Sequence, residues 1–172
     1  MLTITKERVE DIEDIFMVNQ EAFKQENEGK LINAIRKSDC FIPELSLVAR
    51  DDKAIIGHLL LSKILVEKQG ERIPILGLAP MCVLPSYQNK GIGSQLVKES
   101  LRRSRNLDWK LIAVLGHPDF YSKFGFVPSH TKNIKSPFNV DNKYFMVCEL
   151  ENGAADQMSG GKIVYPDAFN LV

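Results

Sequence analysis

The chain has 172 residues, about the size of one domain, and its 22 Lys and Arg residues balance its 22 Asp and Glu residues. The zero formal charge argues against a protein that binds nucleic acid through an overall basic excess, although it leaves room for a local basic patch. Hydrophobic residues make up 44% and charged residues 26% of the chain. This composition is typical of a soluble globular protein and excludes disordered, collagen-like and coiled-coil classes.

The spacing of apolar residues predicts helices and strands along the whole chain. In chain order it predicts a strand at 2–5, helices at 7–24 and 27–37, strands at 45–50, 54–68 and 73–84, a helix at 91–105, a strand at 111–115, a short helix or turn at 117–124, a strand at 144–150, a loop at 151–161 and a last strand at 162–165. Pro43 is expected to lie in a break between the second helix and the next strand. Pro80 predicts a bulge or a splayed edge, because proline cannot donate to a β-ladder. The elements together predict one α/β (α+β) domain, residues 1–172, in which helices cover a mainly antiparallel sheet.

The three cysteines, Cys40, Cys82 and Cys148, are odd in number and widely spaced. They favour neither a disulfide framework nor a zinc site, and we expect buried thiols and no metal. Charged residues follow within the first seven positions, so the N-terminal stretch lacks the apolar core of a signal peptide. The most apolar stretch, 54–66, is too short and too polar to span a bilayer. We therefore expect a cytoplasmic protein that binds neither membrane nor nucleic acid.

The segment 81–94 has the composition of a strand, a tight loop and the first turn of a helix. Gly91 and Gly93 lie where the loop becomes the helix, and unpaired amides at a helix start attract phosphate or pyrophosphate. Leu96 stands where the dinucleotide-binding fingerprint requires a third glycine, and the chain contains no Walker loop. The two glycines alone are equally typical of an ordinary strand-to-helix turn.

Two longer motifs resemble those of the GCN5-related N-acetyltransferases (the GNAT superfamily). Residues 88–93, QNKGIG, resemble the Q/R-x-x-G-x-G/A pyrophosphate loop of that family. Residues 120–126, FYSKFGF, resemble its F-Y-x-x-x-G-F segment, and the order of the intervening helix and strand agrees. The His117-Pro118 pair before the aromatic residues is similar to that of some bacterial predicted N-acetyltransferases. The resemblance covers nearly the whole chain, although the last 20 residues are less typical.

The resemblance implies a mixed, mainly antiparallel sheet that splays between strands 4 and 5 and is flanked by helices on both faces. It also implies that acetyl-coenzyme A, the acyl donor, lies in this V-shaped gap. Its pantetheine arm would pair with backbone near Met81, Cys82 and Val83, where an N–H group would stabilise the oxyanion of the attacked thioester. Its pyrophosphate would lie on Gln88, Asn89, Lys90, Gly91, Ile92, Gly93 and Ser94, with Lys90 adding positive charge.

Tyr121 matches the tyrosine that the family uses to supply a hydrogen bond or a proton to the departing thiolate. A phenol is neutral at pH 7 and can do so. Without the resemblance, Tyr121 would equally be a core aromatic residue. Cys82 is interpreted as lining rather than as a nucleophile, because the family transfers the acetyl group directly in a ternary complex.

The chain departs from the family pattern at the group that deprotonates the amine. Some members carry a glutamate early in the fourth strand, where this chain has Gly77, and many carry an asparagine where it has Val114. The base is therefore unassigned, and the open candidates are Glu21, Glu44, His58 and His117.

The sequence thus predicts an acetyl-coenzyme A-dependent N-acetyltransferase that acts on a small amine or a protein amine. Two alternatives remain open: a non-catalytic sensor that binds acyl-coenzyme A, and a nucleotide-binding protein of another class. The segment 160–169 is expected to close over the acceptor cleft, to form a subunit contact in a homodimer, or to be an ordinary edge strand and tail.

Overall fold

The computed structural model describes residues 1–170 and contains eight strands and four α-helices within them. The strands are β1 (Leu2–Lys6), β2 (Phe41–Asp51), β3 (Ala54–Lys68), β4 (Glu71–Val83), β5 (Leu111–Leu115), β6 (Val127–Pro128), β7 (Phe145–Glu149) and β8 (Lys162–Val164). The helices are α1 (Ile12–Phe23), α2 (Asn27–Arg36), α3 (Ile92–Asn106) and α4 (Pro118–Tyr121). The expected single domain over residues 1–172 stays a prediction, and its last two residues, Leu171 and Val172, lie outside the described residues.

The strands follow the order β1-β2-β3-β4-β5-β7-β6, and β8 pairs with β3. The pairs β1–β2, β2–β3, β3–β8, β5–β7 and β6–β7 are antiparallel, whereas β4–β5 is parallel. The predicted mixed, mainly antiparallel sheet is therefore confirmed.

The ladder between β4 and β5 is short. Only Leu76, Gly77 and Leu78 pair with the facing strand, although β4 continues for five further residues to Val83. The predicted separation of strands 4 and 5 agrees with a ladder that ends at Leu78. The next peptide bond, between Ala79 and Pro80, is cis, and Pro80 has no N–H to donate to a neighbouring strand.

The second helix ends before Pro43, at Arg36, but the predicted start of the next strand at residue 45 is wrong, because β2 begins at Phe41. The register between β2 and β3 shifts between Phe41 and Ser46, which marks an irregularity in the ladder. Pro43 lies within this stretch and is exposed, so that its missing N–H leaves no buried carbonyl without a donor.

The chain divides into two compact units. The first consists of 1–62, 79–103 and the C-terminal stretch that begins at Asp167. Its core joins the apolar faces of α1 and α2 to β2, β3 and the end of β4, through Ile15, Ile32, Val48, Leu60 and Cys82. A Cβ at Gly57 would instead meet Leu96 of α3. Because residues 57 and 60 of a strand point to opposite faces, helices cover both faces of the sheet in this unit.

The second unit comprises 63–78 and 104–166. Its core is formed by β5, which is buried from Leu111 to Val114, and by β7, which is buried from Phe145 to Cys148. The short α4 follows β5 and is continued by a 3-10 turn at Ser122–Phe124, as the predicted short helix or turn requires. The predicted loop at 151–161 contains a further 3-10 turn, Ala154–Met158.

Candidate active site

The loop between β4 and α3 has a backbone that only a few residue types adopt easily. A 3-10 turn at Pro85–Tyr87 is followed by Asn89 and Gly91 in the left-handed region, with φ of 62° and 82°. Asparagine and glycine are the residues that tolerate this region best. A Cβ built on Gly91 would meet nothing within 4 Å, so the space in front of the loop is open. The residues 88–91 are exposed.

The amides of this loop are unpaired. Among the described residues, none offers a hydrogen-bond acceptor to the N–H groups of residues 89–94. The next amide, of Gln95, donates to the Gly91 carbonyl at 3.1 Å and closes the first turn of α3. Six consecutive N–H groups therefore lie at the positive end of a 15-residue helix, an arrangement that attracts anions.

The side chains around the loop hold its backbone in place and add no negative charge next to the unpaired amides. The Gln88 side chain donates from Nε2 to the Val83 carbonyl at 3.0 Å, which ties the loop to the end of β4. The Lys90 ammonium lies 5.3 Å from the centre of the Tyr87 ring. The first turn of α3 contains no acidic residue, so no carboxylate competes with an incoming anion.

The end of β4 places a buried thiol between two partly exposed residues. Cys82 is buried, whereas Met81 and Val83 are each partly exposed. Burial raises the pKa of the Cys82 thiol to about 12, although the His58 backbone N–H opposes the effect. The thiol is therefore protonated at neutral pH and is a poor nucleophile. This agrees with its interpretation as a lining residue.

Tyr121 lies at the end of α4, in the second unit, and is 8% exposed. Its ring contacts Phe120 and Phe126 edge to face, with ring centres 4.9 and 5.4 Å away. Gly116 approaches it so closely that a Cβ there would overlap the ring. Burial raises the pKa of Tyr121 to about 12, so its hydroxyl keeps its proton throughout the neutral range.

The positions at which some relatives carry polar residues are filled by packing. A Cβ on Gly77 would lie 3.0 Å from the side chain of Ile64, which would have to shift to admit it, and Val114 is buried in β5. Of the four candidate bases, Glu21, Glu44 and His117 are exposed. Only His58 is fully buried, with 0% of its surface exposed.

His58 belongs to a buried polar cluster of the first unit that also contains Glu7, Arg36 and Ser46. Arg36 donates from Nε to Glu7 Oε1 at 2.9 Å and from Nη2 to Oε2 at 3.1 Å. The Ser46 hydroxyl donates to Glu7 Oε2 and lies 2.9 Å from His58 Nε2. Burial raises the pKa of Glu7, but the nearby His58 and the hydrogen bonds from Arg36 and Ser46 outweigh burial and hold the pKa at about 2.

The sequence carries no signal for the grouping of Glu7, Arg36 and Ser46, since they lie far apart in the chain and form no motif. Only a charged residue directly after an amphipathic strand, at Glu7, could have drawn notice. Within residues 1–170 no group of three or more His, Cys, Asp or Glu side chains could hold a metal ion. No helix in this part of the chain is long and apolar enough to cross a membrane.

Comparison with known proteins agrees with this geometry. Residues 43–128, half of the chain, match the model of the acetyltransferase (GNAT) domain family. The Escherichia coli N-acetyltransferases YhbS and YjhQ, both described as uncharacterized, are 31% and 27% identical to the chain over 150 residues. These matches cover 87% of this chain and 87% and 83% of the two relatives.

Two solved structures are similar over almost the entire chain. The E. coli YhbS structure in complex with CoA has a TM-score of 0.89 at 29% identity, covering 98% of this chain and 92% of the other. A GNAT family acetyltransferase from Brucella melitensis in complex with acetyl-CoA has a TM-score of 0.80 at 29% identity, covering 98% of each chain. The motifs, the fold and these matches together show that the chain belongs to the GNAT family of N-acetyltransferases.

Proposed function

We propose that this protein transfers an acetyl group from acetyl-coenzyme A to a primary amine, by direct attack of the amine on the thioester in a ternary complex. In this proposal residues 1–172 form one acetyltransferase domain. The acceptor is a small molecule or a peptide that presents a free amine. The two similar structures with bound CoA and acetyl-CoA support acetyl-coenzyme A as the donor.

The observation that carries the proposal is the row of unpaired amides in residues 89–94. A pyrophosphate accepts several hydrogen bonds at once and is stabilised by the partial positive charge of a helix start. Gln88, Asn89, Lys90, Gly91, Ile92, Gly93 and Ser94 would hold it, with the backbone supplying most of the contacts. Lys90 adds a charge on the exposed side of the loop.

The backbone of Met81, Cys82 and Val83 is proposed to pair with the pantetheine arm as an additional strand would. The β4–β5 ladder already ends at Leu78, so these three residues have no partner in β5. An N–H group of this stretch would donate to the thioester carbonyl and stabilise the oxyanion that forms on attack. The protonated thiol of Cys82 supports direct transfer over an acetyl-cysteine intermediate.

Tyr121 is proposed to assist the departing thiolate, on the strength of its place in the FYSKFGF motif. Its pKa of about 12 stands roughly three units above that of an ordinary thiol. Complete transfer of its proton to sulfur is therefore uphill, by about 4 kcal/mol. Tyr121 is better suited to donate a hydrogen bond that stabilises the developing negative charge on sulfur.

A second candidate function, a sensor that binds acyl-coenzyme A without reacting, is favoured by one observation. Gly77 lies at the position where some members of the family carry a glutamate base, so this chain supplies no carboxylate there. Such a sensor would bind the cofactor as tightly as an enzyme would but would release no free coenzyme A.

A screen for release of free thiol from acetyl-coenzyme A tests the proposal. The panel comprises polyamines, amino sugars, amino acids and peptides with free N-terminal or lysine amines, with mass spectrometry to locate the acetyl group. We expect amine-dependent release by the wild type and none by Gly91→Glu. Tight coenzyme A binding without turnover on the whole panel would instead favour the sensor, and no binding at all would refute both.

A further inference from the structure

The buried cluster of Glu7, Arg36, Ser46 and His58 fixes where the protons of its hydrogen bonds lie. Glu7, ionised at neutral pH, can only accept hydrogen bonds. The Ser46 hydroxyl has one proton, which it donates to Glu7 Oε2. The bond between Ser46 and His58, 2.9 Å long, must then be donated by the imidazole from Nε2.

This arrangement assigns the tautomer of His58. Burial lowers the pKa of the imidazole, which is therefore neutral and carries only one proton. Since that proton lies on Nε2, the other ring nitrogen, Nδ1, carries a free lone pair. Nδ1 can therefore accept a proton. The Glu7 carboxylate, 3.8 Å from Nε2 on the other side of the ring, would stabilise the resulting imidazolium.

His58 Nδ1 has no hydrogen-bond partner among the described residues, although it is completely buried. A buried lone pair without a partner is unfavourable and is rare in folded proteins. The missing partner has to be a donor, because Nδ1 can only accept. A water molecule or an amine meets that requirement, whereas an anion or a carbonyl does not.

The position of His58 links this lone pair to the predicted thioester site. His58 lies on β3, the strand next to β4, and its backbone N–H is near enough to the Cys82 thiol to lower the pKa of that thiol. Two residues away, the Leu84 N–H donates to the Ile56 carbonyl at 2.8 Å, and a Cβ on Gly57 would lie 3.0 Å from the Cys82 carbonyl. His58 therefore adjoins the stretch 81–83 that is proposed to bind the acetyl end of the donor.

We propose that His58 removes the proton from the acceptor ammonium, through Nδ1 and a water bound against it, with Glu7 and Ser46 as positioning residues. This inference rests on the proposed acetyltransferase function. The charged groups that act on His58 are Glu7 and Arg36. Glu28 of α2 acts electrostatically on the neighbouring Cys82.

The proton balance of the reaction is complete with this assignment. The ammonium loses one proton through the water to Nδ1, and the freed electron pair of the amine forms the C–N bond. The C–S bond breaks with its electron pair on sulfur, and the second proton of the attacking nitrogen ends on the thiolate. His58 then returns its proton to solvent, so that one acetylated amine, one free thiol and one proton are released.

The first test is the pH profile of His58→Gln, with His130→Gln as the control at an exposed histidine. The substrate pair is acetyl-coenzyme A and the fastest amine of the panel. We expect kcat of His58→Gln to fall about 100-fold at pH 7. The loss should shrink as the pH approaches the pKa of the amine, because the free amine then no longer needs a base. Coenzyme A affinity, measured by calorimetry, should stay within about twofold of wild type.

A profile of His58→Gln that parallels the wild type, in a variant that keeps coenzyme A affinity, would overturn the assignment and leave the acetyltransferase proposal intact. If the wild type does not bind coenzyme A, or if it acetylates no amine of the panel, the proposed function itself is refuted. The two failures are thus distinguishable.

A second test needs neither turnover nor a variant that folds. Nitrogen NMR of the wild-type protein labelled at histidine reports which ring nitrogen of His58 is protonated. We expect a proton on Nε2 and an unprotonated Nδ1 at pH 7, and a change at Nδ1 when coenzyme A and the acceptor amine are added together. A proton on Nδ1 at pH 7 would overturn the proposal.

Discussion

Two polar regions of the molecule differ in how their hydrogen-bonding groups are satisfied. One is the loop of residues 88–94, and the other is the buried cluster of Glu7, Arg36, Ser46 and His58. The loop leaves six amides unpaired, but it is largely exposed, and water can satisfy them until an anion arrives. The cluster is largely buried and pairs nearly every polar atom, so one unpaired atom, Nδ1 of the fully buried His58, stands out. An unpaired group in water indicates readiness to bind, whereas an unpaired group in the core indicates a missing partner.

Of the variants considered, Arg36→Met, in the buried cluster, is expected to lower the stability of the protein most. This change leaves the Glu7 carboxylate buried without its bidentate partner, and we expect the free energy of unfolding to fall by about 3–5 kcal/mol. Denaturant unfolding measures it. Arg102→Met, which breaks an exposed pair with Glu99, is the control and should cost only about 0.2–1 kcal/mol. Equal losses in the two variants would show that the buried cluster has no special energetic role.

Acid should weaken the cluster before it affects the loop. The folded-state pKa of Glu7 is about 2, below the 4.5 of an unfolded glutamate, so its stabilisation is present above pH 4.5 and is lost as the pH falls towards 2. The full effect is about 3 kcal/mol. The lowered pKa of His58 acts in the same direction, because the unfolded imidazole takes up a proton first as the pH falls. Unfolding curves of wild type and Glu7→Gln should therefore converge at low pH, and a constant difference would contradict the assignment.

Gly91→Glu should disable the loop without unfolding the protein. The glutamate would place a carboxylate in the open space before the amides, and we expect coenzyme A affinity to fall at least 100-fold, or by about 2.7 kcal/mol. Gly70→Glu is a matched control, since Gly70 has a φ of 80° and no neighbour within 4 Å of an added Cβ. It should bind coenzyme A like the wild type in calorimetry, and similar losses in both variants would contradict the loop assignment.

Tyr121→Phe is expected to have the smallest effect of these variants, and it tests what the Tyr121 hydroxyl contributes to turnover. Loss of a hydrogen bond to a developing thiolate corresponds to about 1.5–3 kcal/mol, so we expect kcat to fall about 10- to 100-fold with coenzyme A affinity unchanged. Tyr144→Phe serves as the control. A loss of about 1,000-fold or more would indicate complete proton transfer, and unchanged turnover would make Tyr121 a packing residue.

The same contrast explains how much the sequence could predict. The loop and the FYSKFGF segment are each contiguous in sequence, so both motifs are visible in the chain. The strands β3 and β5 have the predicted bounds because both are rich in Ile, Leu and Val. The start of β2 was wrong because a proline inside a strand with an irregular ladder has the same sequence signature as a break. The cluster could not be predicted, since Glu7 meets Arg36 and Ser46 across 29 and 39 positions of the chain through tertiary packing alone.

Amide NMR during a titration with coenzyme A shows whether the N–H groups of residues 89–94 bind the pyrophosphate of the donor. We expect the largest shifts of the titration among these six N–H groups, with the same affinity as in calorimetry, and their loss in Gly91→Glu but not in Gly70→Glu. Saturable binding that leaves the amides of residues 89–94 unshifted would contradict the account.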